Sequence, residues 1–306
     1  MGSDTVNINV TGLADKRYLM VLCDDFGNAS GTNFVRQGFN GDTGSNYAER
    51  YNFNGGTDGT SGSRVYNDYV QSNSVQPMFA VSYISNLSAK EKLYFEHTNQ
   101  SSASGAANAP IRAENVFKWA NTSSPITSFD WYRASDLALA GSEVVVLGWD
   151  PADTHTTNFW EELASVNGDG TSTTLSSGTI TAKKYLWVQV YTDTATAGCG
   201  FQFNNDTGAN YARRYNSNGG TDGTQASHTS ANISGNSPNA FINCFIINNS
   251  ANEKLLMCNT VYAPASGAGD DPERSEDYSK WANTSSQITE IDVIKGSNWG
   301  TNSIIK

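Results

Sequence analysis

Charge is scarce in this chain and leans one way: charged residues fill 16% of 306 positions, with 30 acidic against 19 basic side chains. Ten basic residues stand against fifteen acidic ones up to Asp150, and nine against fifteen after it. Neither half therefore offers the positive surface that neutralises phosphates, which argues against nucleic acid and against an anionic membrane as partners. Long apolar runs are also missing. The stretch 143–149, EVVVLGW, is strand-sized, and MGSDTVNINV has neither a basic start nor an apolar leader core, so the chain reads as soluble with no membrane insertion.

Histidine is rarer still: His97, His155 and His228 are the complement, far apart and without a His counterpart between the two halves. No G-x-S-x-G, H-E-x-x-H or phosphate-loop pattern appears. Adjacent acids such as Glu161 with Glu162, or Asp270 with Asp271, do not make the opposed pair that glycoside hydrolysis needs. A sandwich-fold glycosidase is the enzyme this composition leaves open, and a non-enzymatic role is expected. Cysteine is limited to Cys23, Cys199, Cys244 and Cys258, none of which repeats between the halves, so no shared disulfide framework or repeated metal site is expected. Cys244 and Cys258 flank a predicted hairpin; a disulfide and free buried thiols both stand open.

What the chain has in quantity is Gly, Asn, Ser and Thr around short alternating segments, and it has them twice. Residues 39–60 read FNGDTGSNYAERYNFNGGTDGT and 203–224 read FNNDTGANYARRYNSNGGTDGT, identical at eighteen of twenty-two positions. D-T-G and G-G-T-D-G turns enclose a short alternating run in each. KRYLMVLC at 16–23 recurs as KKYLWVQV at 183–190, and K-W-A-N-T-S-S recurs intact at 118–124 and 280–286. Strands are expected at 4–11, 75–85, 126–132 and 141–150, and at 239–248 and 288–294 in the second copy. The shared E-K-L places a β-hairpin after 75–85 and after 239–248. The fold class that follows is all-β: two tandem antiparallel β-sandwich domains of jelly-roll type, 1–150 and 168–306, born of an internal duplication. Between them, 151–167 is expected to be a linker with a short helix at 158–166, since Phe159, Leu163 and Val166 share a helical spacing and Thr157 or Asn158 can cap it. The second copy has no equivalent of the closing L-G-W-D, so either the chain continues past Lys306 or its last strand is shortened, and a shortened strand leaves an unpaired edge at 304–306 for another chain to complete.

Within each repeat, Tyr47, Glu49 and Tyr51 alternate to one face and Asn46, Ala48 and Arg50 to the other. Tyr47, Arg50 and Tyr51, their counterparts Tyr211, Arg214 and Tyr215, and the two K-W-A-N tryptophans Trp119 and Trp281 form the candidate binding surface, able to stack on a sugar or a partner loop. The competing reading places the rings in the core and the tryptophans as plugs at one end of each sandwich. Asp42, Asp206, Asp58 and Asp222 supply oxygen for calcium in one reading and turn-forming hydrogen bonds in the favoured other; no cofactor is required. Differences between the copies are the places to look for function: Glu49 against Arg213, Phe53 against Ser217, the polar loops 101–110 and 265–271, and the last strand.

KKYLWVQVY, FNNDTGANYARRYN with its NGGTDGT, SSQIT and AGSEVVVLGWDP resemble β-sandwich modules of structural proteins of tailed bacteriophages and their prophages. The resemblance covers nearly the whole chain as two modules. It implies a non-enzymatic virion protein of tail, fibre or head surface, assembling as a homo-oligomer and with other virion proteins, and it supplies no catalytic residues. A lectin-like adhesin or receptor-binding module, using the Tyr, Trp and Arg loops on a host glycan, is the alternative.

Overall fold

A computed structural model of the chain describes residues 4–27, 35–68, 76–133, 137–154, 158–193, 198–234, 239–263 and 267–306. They form antiparallel sheets throughout, in two compact units. Met1–Ser102 with Ile111–Thr156 is the first unit, and Ala103–Pro110 with Thr157–Lys306 is the second. The segment 103–110 and the residues 157–167 thus both belong to the second body.

The first unit carries β1 (Asn7–Thr11), β2 (Tyr18–Asp25), β3 (Val35–Phe39), β4 (Tyr47–Phe53), β5 (Gly59–Arg64), β6 (Met78–Ser85), β7 (Lys92–Gln100), β8 (Ile111–Trp119), β9 (Ser128–Arg133) and β10 (Glu143–Trp149). They form a three-stranded sheet β1-β9-β3 and a seven-stranded sheet β10-β2-β6-β7-β8-β4-β5. The core lies where the two meet: Leu19, Val21 and Cys23 of β2 and Tyr94 of β7 share one buried cluster with Phe39 of β3 and Trp131 of β9. Period-two alternation sends those residues inward from each strand, which is what makes the pair of sheets a sandwich.

The second unit carries β11 (Val166–Asn167), β12 (Thr174–Ser176), β13 (Tyr185–Thr192), β14 (Gly200–Phe203), β15 (Tyr211–Ser217), β16 (Gly223–His228), β17 (Ala231–Asn232), β18 (Ala240–Ile247), β19 (Lys254–Tyr262), β20 (Glu273–Trp281), β21 (Ile291–Ile294) and β22 (Ile304–Ile305). Its sheets run β11-β22-β13-β18-β19-β20-β15-β16 and β12-β21-β14-β17. Apart from β11 and β17, this is the order of the first unit strand for strand, so the duplication extends to the whole topology.

Two expectations are corrected. The linker helix does not form: 158–165 runs without helix, and no helix occurs among the described residues. A helix would present only the stripe Phe159, Leu163 and Val166. The extended path also lets Trp160 pack, 5.5 Å from Trp187 and 6.2 Å from Phe245 between ring centres, while Leu163, Ala164 and Val166 reach the core. Glu161 pairs with Lys183 at 2.9 Å and Glu162 with Lys306 at 3.1 Å. The proposed helix cap at Thr157 lies outside the described residues. The unpaired edge at 304–306 is absent as well. Short though it is, β22 bonds β13 through Val190↔Ile305 and Tyr191↔Ile304, and β11 covers its other side through Val166↔Ile305.

One register position shows how the copies solved the same problem differently. Cys244 of β18 and Cys258 of β19 face each other and form a disulfide. At the matching place in the first unit, Ser82 of β6 faces Glu96 of β7, and the hydroxyl donates to the carboxylate at 2.6 Å. Closing a loop of this length contributes about 3 kcal/mol on a chain-entropy account. The first unit has a buried hydrogen bond to an acid instead. Cys23 and Cys199 are free thiols, and burial pushes both upward in pKa, Cys199 to about 12.

Candidate functional site

The repeated corner is built from the turn upward. Asn40 holds φ at 53° and Gly41 at 62°, which reverses the chain after β3. The Asp42 carboxylate then accepts from the Gly44 amide at 2.8 Å, the Asn46 amide at 2.9 Å and the Trp119 indole N–H at 2.7 Å. Asp206 takes the same three donors from Gly208, Asn210 and Trp281, at 2.9, 2.9 and 2.7 Å. Burial opposes ionisation of both carboxyls, but the three donors outweigh it and hold each below the usual carboxylate range. These oxygens are occupied by protein N–H groups, as the turn reading requires. Asp58 likewise meets Asn52 at 3.0 Å and Arg50 at 3.3 Å, and Asp222 meets Asn216 at 3.2 Å and Arg214 at 3.7 Å. No cluster of three metal-ligating side chains occurs among the described residues.

The eight sequence-predicted binding residues separate into two sets. Tyr47, Trp119, Tyr211 and Trp281 are buried at or below 1% exposure, and in both copies Tyr and Trp stack 6.3 Å apart. The Tyr47 hydroxyl oxygen accepts from the Phe39 N–H at 2.9 Å, and the Tyr211 hydroxyl oxygen accepts from the Phe203 N–H at 3.0 Å. These four are core, and they present nothing to a ligand. Arg50, Tyr51, Arg214 and Tyr215 lie nearer the surface, with Tyr51 and Tyr215 laid over Gly59 and Gly223, where any Cβ would meet the ring at 2.3 and 2.4 Å. The glycine of each G-G-T-D-G turn is there to admit that ring.

The mismatch of Glu49 with Arg213 also resolves into the core. Glu49 accepts from the Asp68 amide at 2.9 Å. Arg213 donates to Asp277 at 2.8 Å, and Asp277 occupies the place where the first copy has Asn115. The charge appears together with its partner, which is a packing solution and not a ligand site. Of the histidines, His97 and His228 lie on different units, and His155 lies outside the described residues.

What the sequence reading did not single out is the outer face of the seven-stranded sheet. There Leu93, Val116 and Phe95 stand 57%, 52% and 46% exposed, and the tilted rings of Tyr18 and Trp149 meet at 5.7 Å beside them. Arg50 lies opposite Val116, Val116 opposite Phe95, and Phe95 opposite Tyr83, an unbroken cross-strand row. A shallow cavity of about 680 Å³ follows this row, with Lys118 at its rim. The signal was available in K-L-Y-F-E at 92–96, where both faces of the strand carry rings or aliphatic groups. In the second unit the same positions, Leu255, Met257 and Tyr278, are buried.

A strongly perturbed acid belongs to the core beneath that face. Burial pushes Glu96 from its ordinary 4.5 up to about 7, against hydrogen bonds from Ser82, Gln37 and Thr98 that pull the other way. Because the folded state holds this proton more tightly than the unfolded chain does, the contribution is whole below pH 4.5 and is lost as pH rises to 7. The loss amounts to about 3 kcal/mol at 1.36 kcal/mol per pKa unit. Urea unfolding followed by tryptophan fluorescence should therefore show the first unit weaker at pH 8 than at pH 5. Glu96→Gln should abolish that difference; a variant that keeps the same pH dependence would show that Glu96 is not its source.

No family model matches the chain, and no curated protein matches it. Among solved structures, mouse laminin alpha1 chain domains LG4-5 align over 99% of this chain and 84% of that one, with 10% identity and a TM-score of 0.19. Human GIVD cytosolic phospholipase A2 aligns over 88% of this chain and 33% of that one, with 7% identity and a TM-score of 0.12. At those scores neither likeness bears on function.

Proposed function

We propose that the chain is a non-enzymatic structural protein of a tailed-bacteriophage virion, acting through protein–protein contacts with its own copies and with other virion proteins. The observation that carries the contact reading is the bare face of the first sheet. Leu93, Phe95 and Val116 form a contiguous apolar row open to water, which a protein without partners seldom keeps. Charged and polar groups rim it: Lys118 pairs with Glu91 at 3.5 Å, and Arg50 with Asp58 at 3.3 Å. An apolar centre with a polar rim is the anatomy of a protein interface. The virion itself is suggested by the module resemblance, and the acidity of both halves keeps nucleic acid and membrane out of the reading. Neither cofactor nor calcium takes part in it. Quantitative mass spectrometry of purified phage particles encoding this chain tests the proposal: many copies per particle are expected, and absence from intact particles defeats it.

The exposed Tyr18–Trp149 pair favours a second reading, since an exposed aromatic ring face accepts the apolar face of a sugar. Glycan-array binding that disappears in Trp149→Ala would put a glycan-binding adhesin in place of the structural role.

A further inference from the structure

The duplication includes a docking device, and among the described residues one of its two halves is engaged. In the second unit, the segment 103–110 is seated by four hydrogen bonds. Lys280 Nζ donates to the Ala103 carbonyl at 2.5 Å, and the Gly105 amide donates to Glu253 Oε1 at 2.5 Å. The Ser227 amide donates to the Ala106 carbonyl at 2.7 Å, and Arg214 Nε donates to the Pro110 carbonyl at 2.8 Å. Seated this way, the Lys280–Glu253 pair is almost wholly withdrawn from water, at 0% and 6% side-chain exposure.

All four receiving residues recur in the first unit. Lys118 and Glu91 stand for Lys280 and Glu253, Arg50 for Arg214, and Ser63 for Ser227. Their backbone setting recurs too. Ser63 and Ser227 both hold the left-handed conformation, φ 53° and 55°, where the pairing of β5 with β4 and of β16 with β15 shifts register at matching positions. Yet Lys118 and Glu91 are 42% and 44% exposed, Arg50 is 55% exposed, and the apolar row beside them is bare.

The seated segment recurs as well. A-S-G-A at 103–106 is repeated at 265–268, and Pro110 is repeated as Pro272. Gly105 and Gly267 share a positive φ, 87° and 101°, and Gly267, Ala268 and Pro272 are exposed. Asn108 and Ala109 become Asp270 and Asp271 in the second segment. His228, next to Ser227, is Arg64 next to Ser63 in the first unit, where Asp68 pairs with it. An acidic segment and a receiving face that carries the exposed cations Arg50 and Lys118 are thus left over on the same chain.

We infer that copies of this chain associate head to tail, the segment 267–272 of one copy seating on the face of another copy's first unit at Arg50, Ser63 and Glu91, beside Lys118. The occupant is a second copy because the chain itself carries both the spare segment and the spare receiving residues. Such a contact is heterologous: each copy gives one surface and receives on another, so association continues beyond a dimer. This inference takes the protein–protein reading as its premise and names the partner.

Sedimentation velocity over a broad concentration series tests it with the full chain and two exposed-surface variants. Wild type should show monomer passing to dimer and larger species as concentration rises. Lys118→Glu, which damages the receiving face, and Asp270→Lys/Asp271→Lys, which damages the segment, should each lose every species above monomer while keeping wild-type far-ultraviolet circular dichroism and melting. An equimolar mixture of the two variants should restore a one-to-one dimer and nothing larger, because one intact segment then meets one intact face. Wild type that stays monomeric to its solubility limit, assembly that persists in either variant, or a mixture that stays monomeric overturns the inference. Those outcomes leave virion membership untouched, since the protein content of particles decides that separately.

Discussion

Trp119→Ala is expected to cost the first unit about 3–5 kcal/mol, a large share of the roughly 5–15 kcal/mol that holds an ordinary domain folded. Trp119 closes β8 and is fully buried, with ring centres 5.5 Å from Phe39 and 6.3 Å from Tyr47. The amine of Lys92 lies 5.4 Å over the indole and bonds the Asn121 carbonyl at 2.8 Å, so the ring also forms the floor for a buried cation. Truncation opens a cavity among rings that cannot collapse into it and leaves Asp42 without its indole donor. Trp119→Phe separates the two effects. It retains most of the apolar contact and should cost about 1.5–3 kcal/mol, the range for a hydrogen bond to a charged group. The duplication provides an internal control, since Trp281→Ala removes the same contacts to Tyr211, Phe203 and Asp206. Urea unfolding combined with hydrogen exchange of strands β4 and β8 should locate the loss in the first unit for Trp119→Ala. The same measurement on β15 and β20 should locate it in the second for Trp281→Ala. A Trp119→Ala protein unfolding within about 1 kcal/mol of wild type would show that the corner is not the keystone its packing suggests.

That corner was legible in the sequence for a physical reason: its turn, its ring and its plug all depend on local spacing. Asp42, Gly44 and Asn46 act within five residues of one another, and K-W-A-N-T-S-S sets Trp119 at a strand end next to the turn that Asn121 closes by accepting from the Ser123 and Ser124 amides. Strand alternation in V-N-I-N-V and Y-A-E-R-Y needed nothing from elsewhere in the chain. The failures share the opposite property. The residues 158–166 carry helical spacing, but the sheet rings Trp187 and Phe245 decide that Trp160 packs and the segment extends. The cover on β22 is the two-residue strand Val166–Asn167, too short to leave a period. The seat of 103–110 rests on the backbone carbonyls of Ala103, Ala106 and Pro110 and the amide of Gly105, groups every residue type shares. What sequence retained of that contact was the repeated A-S-G-A, visible as a repeat but not as a contact. The candidate site moved accordingly: four of the eight proposed residues are core, and the open surface is the apolar row of β7 and β8 beside Arg50.

Asp25→Ala is expected to cost the first unit a similar 3–5 kcal/mol, by a different route. Asp25 and Arg133 are both fully buried and pair at 2.7 Å, and the same carboxylate accepts from the Trp131 indole at 2.8 Å and the Gly27 amide at 2.9 Å. Removing the carboxylate leaves a guanidinium without its counter-charge in the interior and an indole N–H without an acceptor. The expected cost is that penalty, not the intrinsic worth of the pair, which desolvation of both ions keeps small. The second unit is a natural comparison, since the aligned positions hold Thr192, Val293 and Lys295, and its sheets close without the trio, with Asp193 supplying charge of the opposite sign near Lys295. It follows that the pair should be dispensable only as a pair. In a double-mutant cycle, Asp25→Leu/Arg133→Met should cost clearly less than the sum of its single variants, with a coupling in the range of about 0.5–3 kcal/mol. Trp131 N–H stays unpaired in that double variant, so full recovery is not expected; adding Trp131→Phe should remove the remaining polar debt and leave mainly the change in packing. Urea midpoints for the singles, the double and the triple measure these terms directly. Additive single variants would mean that Asp25 and Arg133 are stabilised independently, and the account of a coupled buried pair would have to be given up.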